Sequence, residues 1–198
     1  MIRPWPLIDS EPAFATRLFR VTRDRARSPR TGGEREFHVV HMVDWLMVVT
    51  LTANGKLVLV RQYRHGSREA GLEVPGGLHD GTGERPEQGA VRELMEETGY
   101  GIAGHELTFL GVLRPQPALL ANRAWIYLAK DVELTAEPEP DAGEDIEVVL
   151  LAPHEVPACI ASGEISNAMT VAALALADFG GHLEIATPRR SSMKENGQ

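Results

Sequence analysis

A chain of 198 residues with 43% hydrophobic and 24% charged residues has the size of one domain and the composition of an ordinary globular protein, which excludes wholesale disorder. A net charge of −8 and an isoelectric point near 5.4 give an average field that repels phosphate backbones and disfavours general nucleic-acid binding. The single cysteine, Cys159, excludes an intrachain disulfide framework and a Cys-based zinc cluster.

Residues 1–16 contain Pro4, Pro6, Asp9, Glu11 and Pro12. They interrupt any apolar leader and read as an irregular lead-in, so cytoplasmic residence is the expectation. Residues 18–43 hold two extended stretches around the turn formers of 28–33 and predict a hairpin. Its arginines, Arg17, Arg20, Arg23, Arg25, Arg27, Arg30 and Arg35, face only Asp24 and Glu34 between positions 17 and 35. They fit either the charges that protect an exposed strand edge or a phosphate-contacting surface.

Residues 45–52 and 56–63 are apolar and β-branched and flank Asn54-Gly55, the strongest short hairpin signal. Leu72-Glu73-Val74-Pro75 leads into a glycine-rich loop, residues 76–83. Pro86 then opens a helix that Gly99 closes. Strands are predicted at 106–113, 123–130 and 145–151, with an acidic loop at 137–143. A short helix at 153–162 and a longer one at 166–179, capped by Ser166, follow. The organisation is an N-terminal extension with a β-hairpin (1–43), a main domain (44–186) and a disordered tail (187–198). The longest apolar run, residues 171–177, is too short to cross a membrane.

The informative segment is Arg92-Glu93-Leu94-Met95-Glu96-Glu97-Thr98-Gly99. At 100° per residue, Ala90, Val91, Leu94, Met95 and Thr98 form one stripe, and Glu93, Glu96 and Glu97 fall together away from it. No lysine or arginine three or four residues onward compensates these like charges, which repel at such spacings. Oxygen-only donors at high negative charge suit a hard cation, Mg²⁺ or Mn²⁺. Arg92 occupies another sector, from which it can steady one carboxylate. Alone, the string also fits a solvated acidic helix face; the glycine turn just upstream, where backbone carbonyls can approach an ion closely, favours a site.

Glu84, seven intervening residues, then Arg92-Glu93-Leu94-Met95-Glu96-Glu97-Thr98-Gly99-Tyr100 resembles the Nudix hydrolase signature. One departure is present: six residues, not five, separate Gly77 from Glu84, which would shift the backbone carbonyl the family offers to its metal, here Gly76. Arg61-Gln62-Tyr63-Arg64, the Leu72–Gly77 stretch and Pro115, sixteen residues after Gly99, look like the ADP-ribose and nucleotide-sugar pyrophosphatase branch.

The resemblance implies an α/β fold, a Nudix-type α/β/α sandwich with a mixed sheet plus the N-terminal hairpin, working as a homodimer joined through that hairpin. It implies Mg²⁺-dependent hydrolysis of a nucleoside diphosphate sugar such as ADP-ribose to a nucleoside monophosphate and a sugar phosphate. Gly76, Glu93, Glu96 and Glu97 would hold the metal, with Arg92 orienting them. Arg61, Arg64, Glu73, Asn122 and Arg123 would bind substrate. The loop after Pro115 lacks the acid the branch commonly uses, so the base is Glu93 or Glu96, or an acid from another loop, Glu144 or Asp145. A weakly catalytic nucleotide-sugar-binding module, or hydrolysis of another nucleoside diphosphate compound, are the alternatives. No His-Glu-x-x-His pair, Gly-x-Ser-x-Gly elbow, Gly-x-Gly-x-x-Gly loop or P-loop occurs, which disfavours zinc protease, serine hydrolase and Rossmann readings.

Overall fold

The computed structural model describes residues 2–79, 81, 83–102, 107–140 and 143–185. The tail expected at 187–198 lies outside them. The chain forms two compact units, one of residues 1–45, 78–84 and 112–125, the other of 46–77, 85–111 and 126–198.

In the first unit, β1 (Leu7–Ala15), β2 (Phe19–Arg27) and β3 (Glu34–Met42) form a three-stranded antiparallel sheet in that order. The hairpin expected at 18–43 is therefore present, but the supposed irregular lead-in is a third strand. Its prolines are accommodated because β1 is an edge with two register breaks, one on either side of residues 9–12, and an edge strand needs no complete ladder. Opposed charges fix the pairing: Arg23 meets Glu11 at 2.5 Å, Arg25 meets Asp9, and Arg27 meets Glu34 at 2.9 Å. Carboxylates of neighbouring strands thus neutralise these three arginines, as cross-strand pairing favours.

A seven-stranded sheet has most of its residues in the second unit. Its strands are β4 (Trp45–Thr52), β5 (Leu57–Arg64), β6 (Glu69–Glu73), β7 (Tyr100–Gly101), β8 (Thr108–Leu113), β9 (Ala124–Leu134) and β10 (Ile146–Leu151). The path runs β10-β5-β4-β9-β7, with β6 beside β5 and β8 beside β9. The β4–β5 hairpin turns at Asn54-Gly55, where Gly55 takes φ of 72°, a left-handed conformation that favours glycine. Leu46, Val48, Val49, Leu57, Leu59 and Val60 are essentially sealed from water, each such side chain contributing about 1.5–3 kcal/mol by burial.

β6 was not expected, because Glu-Ala-Gly-Leu-Glu has little intrinsic strand preference. Pairing supplies what propensity lacks: Val60 to Arg64 of β5 oppose Glu73 to Glu69 in antiparallel register. Helix α1 (Pro86–Thr98) contacts β5 and β10 through a face that includes the fully buried Ala90 and Leu94. Gln88 Oε1 accepts the Arg85 amide at 3.0 Å, Pro86 opens the first turn, and Gly99, at φ 71°, closes the last.

After β10 come a single 3-10 turn (Pro153–Glu155), α2 (Val156–Ser162) and α3 (Ala168–Phe179). The cap of α3 is Asn167, not Ser166: Asn167 Oδ1 accepts the amides of Met169 and Thr170 at 2.9 and 3.2 Å. No helix of the described residues is long and apolar enough to cross a membrane.

Candidate active site

The glycine turn and the acidic helix meet inside the second unit. The Gly77 amide donates to Leu46 O at 3.0 Å and Gly77 O accepts the Leu46 amide at 2.9 Å, while Pro75 O accepts the Val48 amide at 2.9 Å. This ladder anchors the turn to β4. Both glycines are needed for close approach. A Cβ on Gly76 would fall 2.1 Å from Leu46 O, and one on Gly77 would fall 2.3 Å from Glu93 Oε2. The Glu93 carboxylate therefore lies directly against the bare Cα of Gly77. The neighbouring Gly76 amide donates to Glu97 Oε2 at 2.8 Å.

The three glutamates are not equivalent. Glu97 is buried, only 3% exposed, which corrects the helical-wheel expectation that it lies clear of the packed face: the wheel locates the residue on α1 but not the turn that covers it. Burial pushes its carboxyl up to about 8, assisted by the charges of Glu144 and Glu93 and opposed by the Gly76 amide and Arg64. Burial also raises Glu93, against the pull of Arg92. Glu96 is half-exposed and turns to Arg92, whose Nη1 stands 2.8 Å from Glu96 Oε2 and 3.0 Å from Glu93 Oε1. Arg92 thus bridges two of the carboxylates.

Arg64 and Glu73 lie close enough for the charge of Arg64 to act on Glu97. Arg64 Nε and Nη2 donate to the two oxygens of Glu73, each at 3.0 Å, a bidentate fork that holds the guanidinium plane. The charge of Arg64 acts on Glu97, and that of Glu144 acts on Arg64, Glu93 and Glu97 together. Of the two acids considered before β10, Glu144 is the one whose charge bears on these groups.

Arg61 goes elsewhere. Three positions from Arg64 on a strand, it lies on the alternate face and pairs with Glu147 at 3.2 Å and Glu164 at 2.6 Å. Asn122 and Arg123 belong to the first unit, where Asn122 Nδ2 donates to Val43 O at 3.3 Å and the Arg123 amide donates to Asp44 at 2.8 Å. Asn167 was missed in the sequence. Its Nδ2 donates to Glu73 Oε2 at 2.7 Å, and its only sequence signal is that Asn, a favoured cap residue, stands next to the expected cap Ser166.

Among the described residues no three His, Cys, Asp or Glu side chains converge as a ready cation cage. The donor set nevertheless fits a hard cation. Two adjacent carboxylates, Glu93 and Glu97, are partly desolvated with a shortfall of positive charge. The Gly76 carbonyl takes no hydrogen bond among the described residues, whereas those of its neighbours Pro75 and Gly77 do. Oxygen donors of this kind suit Mg²⁺ or Mn²⁺.

Comparison with known proteins gives the family. A NUDIX domain model matches residues 40–171. The chain is a Nudix hydrolase. An ADP-ribose pyrophosphatase of Mycobacterium tuberculosis is 31% identical to it over 83% of this chain and 79% of the relative. An ADP-ribose pyrophosphatase of Bacillus subtilis is 30% identical over 64% of this chain and 68% of the relative. A methanol dehydrogenase activator of Bacillus methanolicus is 29% identical over 70% and 71%. The crystal structure of an ADP compounds hydrolase superposes with a TM-score of 0.77 at 24% identity, covering 92% of this chain and 98% of that one, and shares its fold. This Nudix hydrolase therefore has the α/β/α sandwich on a mixed sheet that its signature implied.

Proposed function

We propose that this Nudix hydrolase cleaves the diphosphate of nucleoside diphosphate sugars such as ADP-ribose, giving a nucleoside monophosphate and a sugar phosphate. The observation that carries the reading is the seating of Glu93 on Gly77 and of Glu97 on the Gly76 amide, with the Arg64–Glu73 fork near enough to act on Glu97. Two relatives named ADP-ribose pyrophosphatases support the substrate class.

Glu93, Glu97 and the Gly76 carbonyl would hold a divalent cation, Mg²⁺ or Mn²⁺, with Glu96 and Arg92 fixing Glu93 in place. Such an ion neutralises phosphoryl oxygens and lowers the pKa of water. Arg64 presents Nη1, the part of its guanidinium that Glu73 does not use, toward a diphosphate. Glu144 takes the proton as water attacks phosphorus and the bridging P–O bond breaks, and the leaving phosphate carries away the electron pair. Glu93 is the alternative base, but its carboxylate is engaged by Arg92.

The test is a panel of ADP-ribose, GDP-mannose and related compounds with Mg²⁺ or Mn²⁺. We expect a nucleoside monophosphate from at least one; release from none rejects the reading. The relative named an activator motivates a second reading, a weakly catalytic nucleotide-sugar-binding module, which tight binding without release would establish. The proposal includes a homodimer through the first unit's sheet, where Leu7, Phe14 and Phe37 are exposed. Light scattering at the mass of a monomer would exclude it.

A further inference from the structure

The first turn of α3 is tied to the fork that holds Arg64. Asn167 uses both ends of its amide: Oδ1 caps α3 through the Met169 and Thr170 amides, and Nδ2 donates to Glu73 Oε2 at 2.7 Å. Thr170, fully buried, repeats the link by accepting the Val74 amide at 3.3 Å. Glu73 is itself buried, 6% exposed. It receives three donors, two from Arg64 and one from Asn167. A planar guanidinium held by two parallel bonds has its remaining edge fixed in direction, and that edge, Nη1, meets no partner among the described residues.

We propose that Asn167 is a positioning residue for diphosphate binding, acting through Glu73 to aim the free edge of Arg64. A carboxylate gripped only by Arg64 could swing with it; the third donor, rooted in a helix cap, fixes Glu73 and so fixes the fork. The helix cap and the substrate-facing arginine are thereby parts of one hydrogen-bonded chain spanning α3, β6 and β5. The inference rests on the pyrophosphatase reading above and assigns a residue to it.

Capping and positioning separate by substitution, because Ser and Asp cap helices about as well as Asn. Asn167→Ser keeps the cap and loses the donor to Glu73. Asn167→Asp keeps the cap and sets a second carboxylate against Glu73, where like charges oppose each other. With full-length protein, Mg²⁺ and whichever nucleoside diphosphate sugar the panel shows to be cleaved, we expect KM to rise about five- to twentyfold for Asn167→Ser, and further for Asn167→Asp. A hydrogen bond to a charged group, acting at one remove, accounts for effects of that order. Expected kcat stays within about threefold, the pattern of lost uniform binding. Combining Asn167→Ser with Arg64→Lys should then raise KM no further than Arg64→Lys alone, since both act on one contact.

Wild-type KM in the Asn167→Ser protein, or independent addition of the two substitutions, overturns the inference. Should Asn167→Asp fail to fold, the Ser variant and the double substitution decide alone. An inactive wild-type protein rejects the pyrophosphatase reading instead, so the two failures are told apart.

Discussion

The Gly76 amide donates to Glu97 Oε2 at 2.8 Å, so a buried carboxylate is bound to the turn that also seats Glu93. Glu97 is raised to about 8, mainly by burial. The native chain without a cation then keeps a proton that the unfolded chain, near its ordinary value of 4.5, has released. Native protein binds more protons across that window, so stability falls as pH climbs from about 4.5 to about 8. In chelator, the melting temperature should drop between pH 5 and pH 8, and Mg²⁺ should restore it at pH 8. Glu97→Gln should flatten the drop and reduce turnover about a hundredfold or more, the scale of losing several kcal/mol of charge stabilisation. An unchanged slope in the Gln variant would contradict the burial argument.

Gly77→Ala tests the seating of Glu93. The new methyl would stand 2.3 Å from Glu93 Oε2, inside contact distance, so the carboxylate must move. Turnover should fall about ten- to a hundredfold, as for displaced ligand support, and more Mg²⁺ should be needed for half-maximal rate. Titration of activity with Mg²⁺ reads both effects.

Glu144→Gln should lower kcat about 10²- to 10⁴-fold, the usual contribution of a positioned base, with KM little changed. Asp145→Asn, one residue away, should stay near wild type. Steady-state kinetics on the pair decide the assignment; equal losses would remove it from Glu144.

Gly99→Ala probes the end of α1. Its φ of 71° is left-handed and a Cβ would lie 2.1 Å from Ala136 O, so strain and collision combine. The expected destabilisation exceeds about 1 kcal/mol, measured by urea denaturation; a cost of only a few tenths would show that the cap relaxes.

What could be read from the sequence was local. Asn54-Gly55 announced its hairpin, and Pro86 and Gly99 bounded α1, because turn and cap chemistry act within a few residues. β1 and β6 escaped notice because their stability comes from cross-strand partners and not from their own strand preference: Asp9 and Glu11 matter only once Arg25 and Arg23 lie opposite. Periodicity placed Glu93, Glu96 and Glu97 on one side of α1 but could not show that the Gly76 turn seals Glu97 and leaves Glu96 to Arg92. Asn167 was invisible for the same reason, since Glu73 lies 94 positions away.

The hydrogen bonds that clamp Gly77 to Leu46 act as a mechanical stop. A residue added beyond that point need not break these bonds, so a longer connection to α1 is expected to leave the carboxylate seat in place.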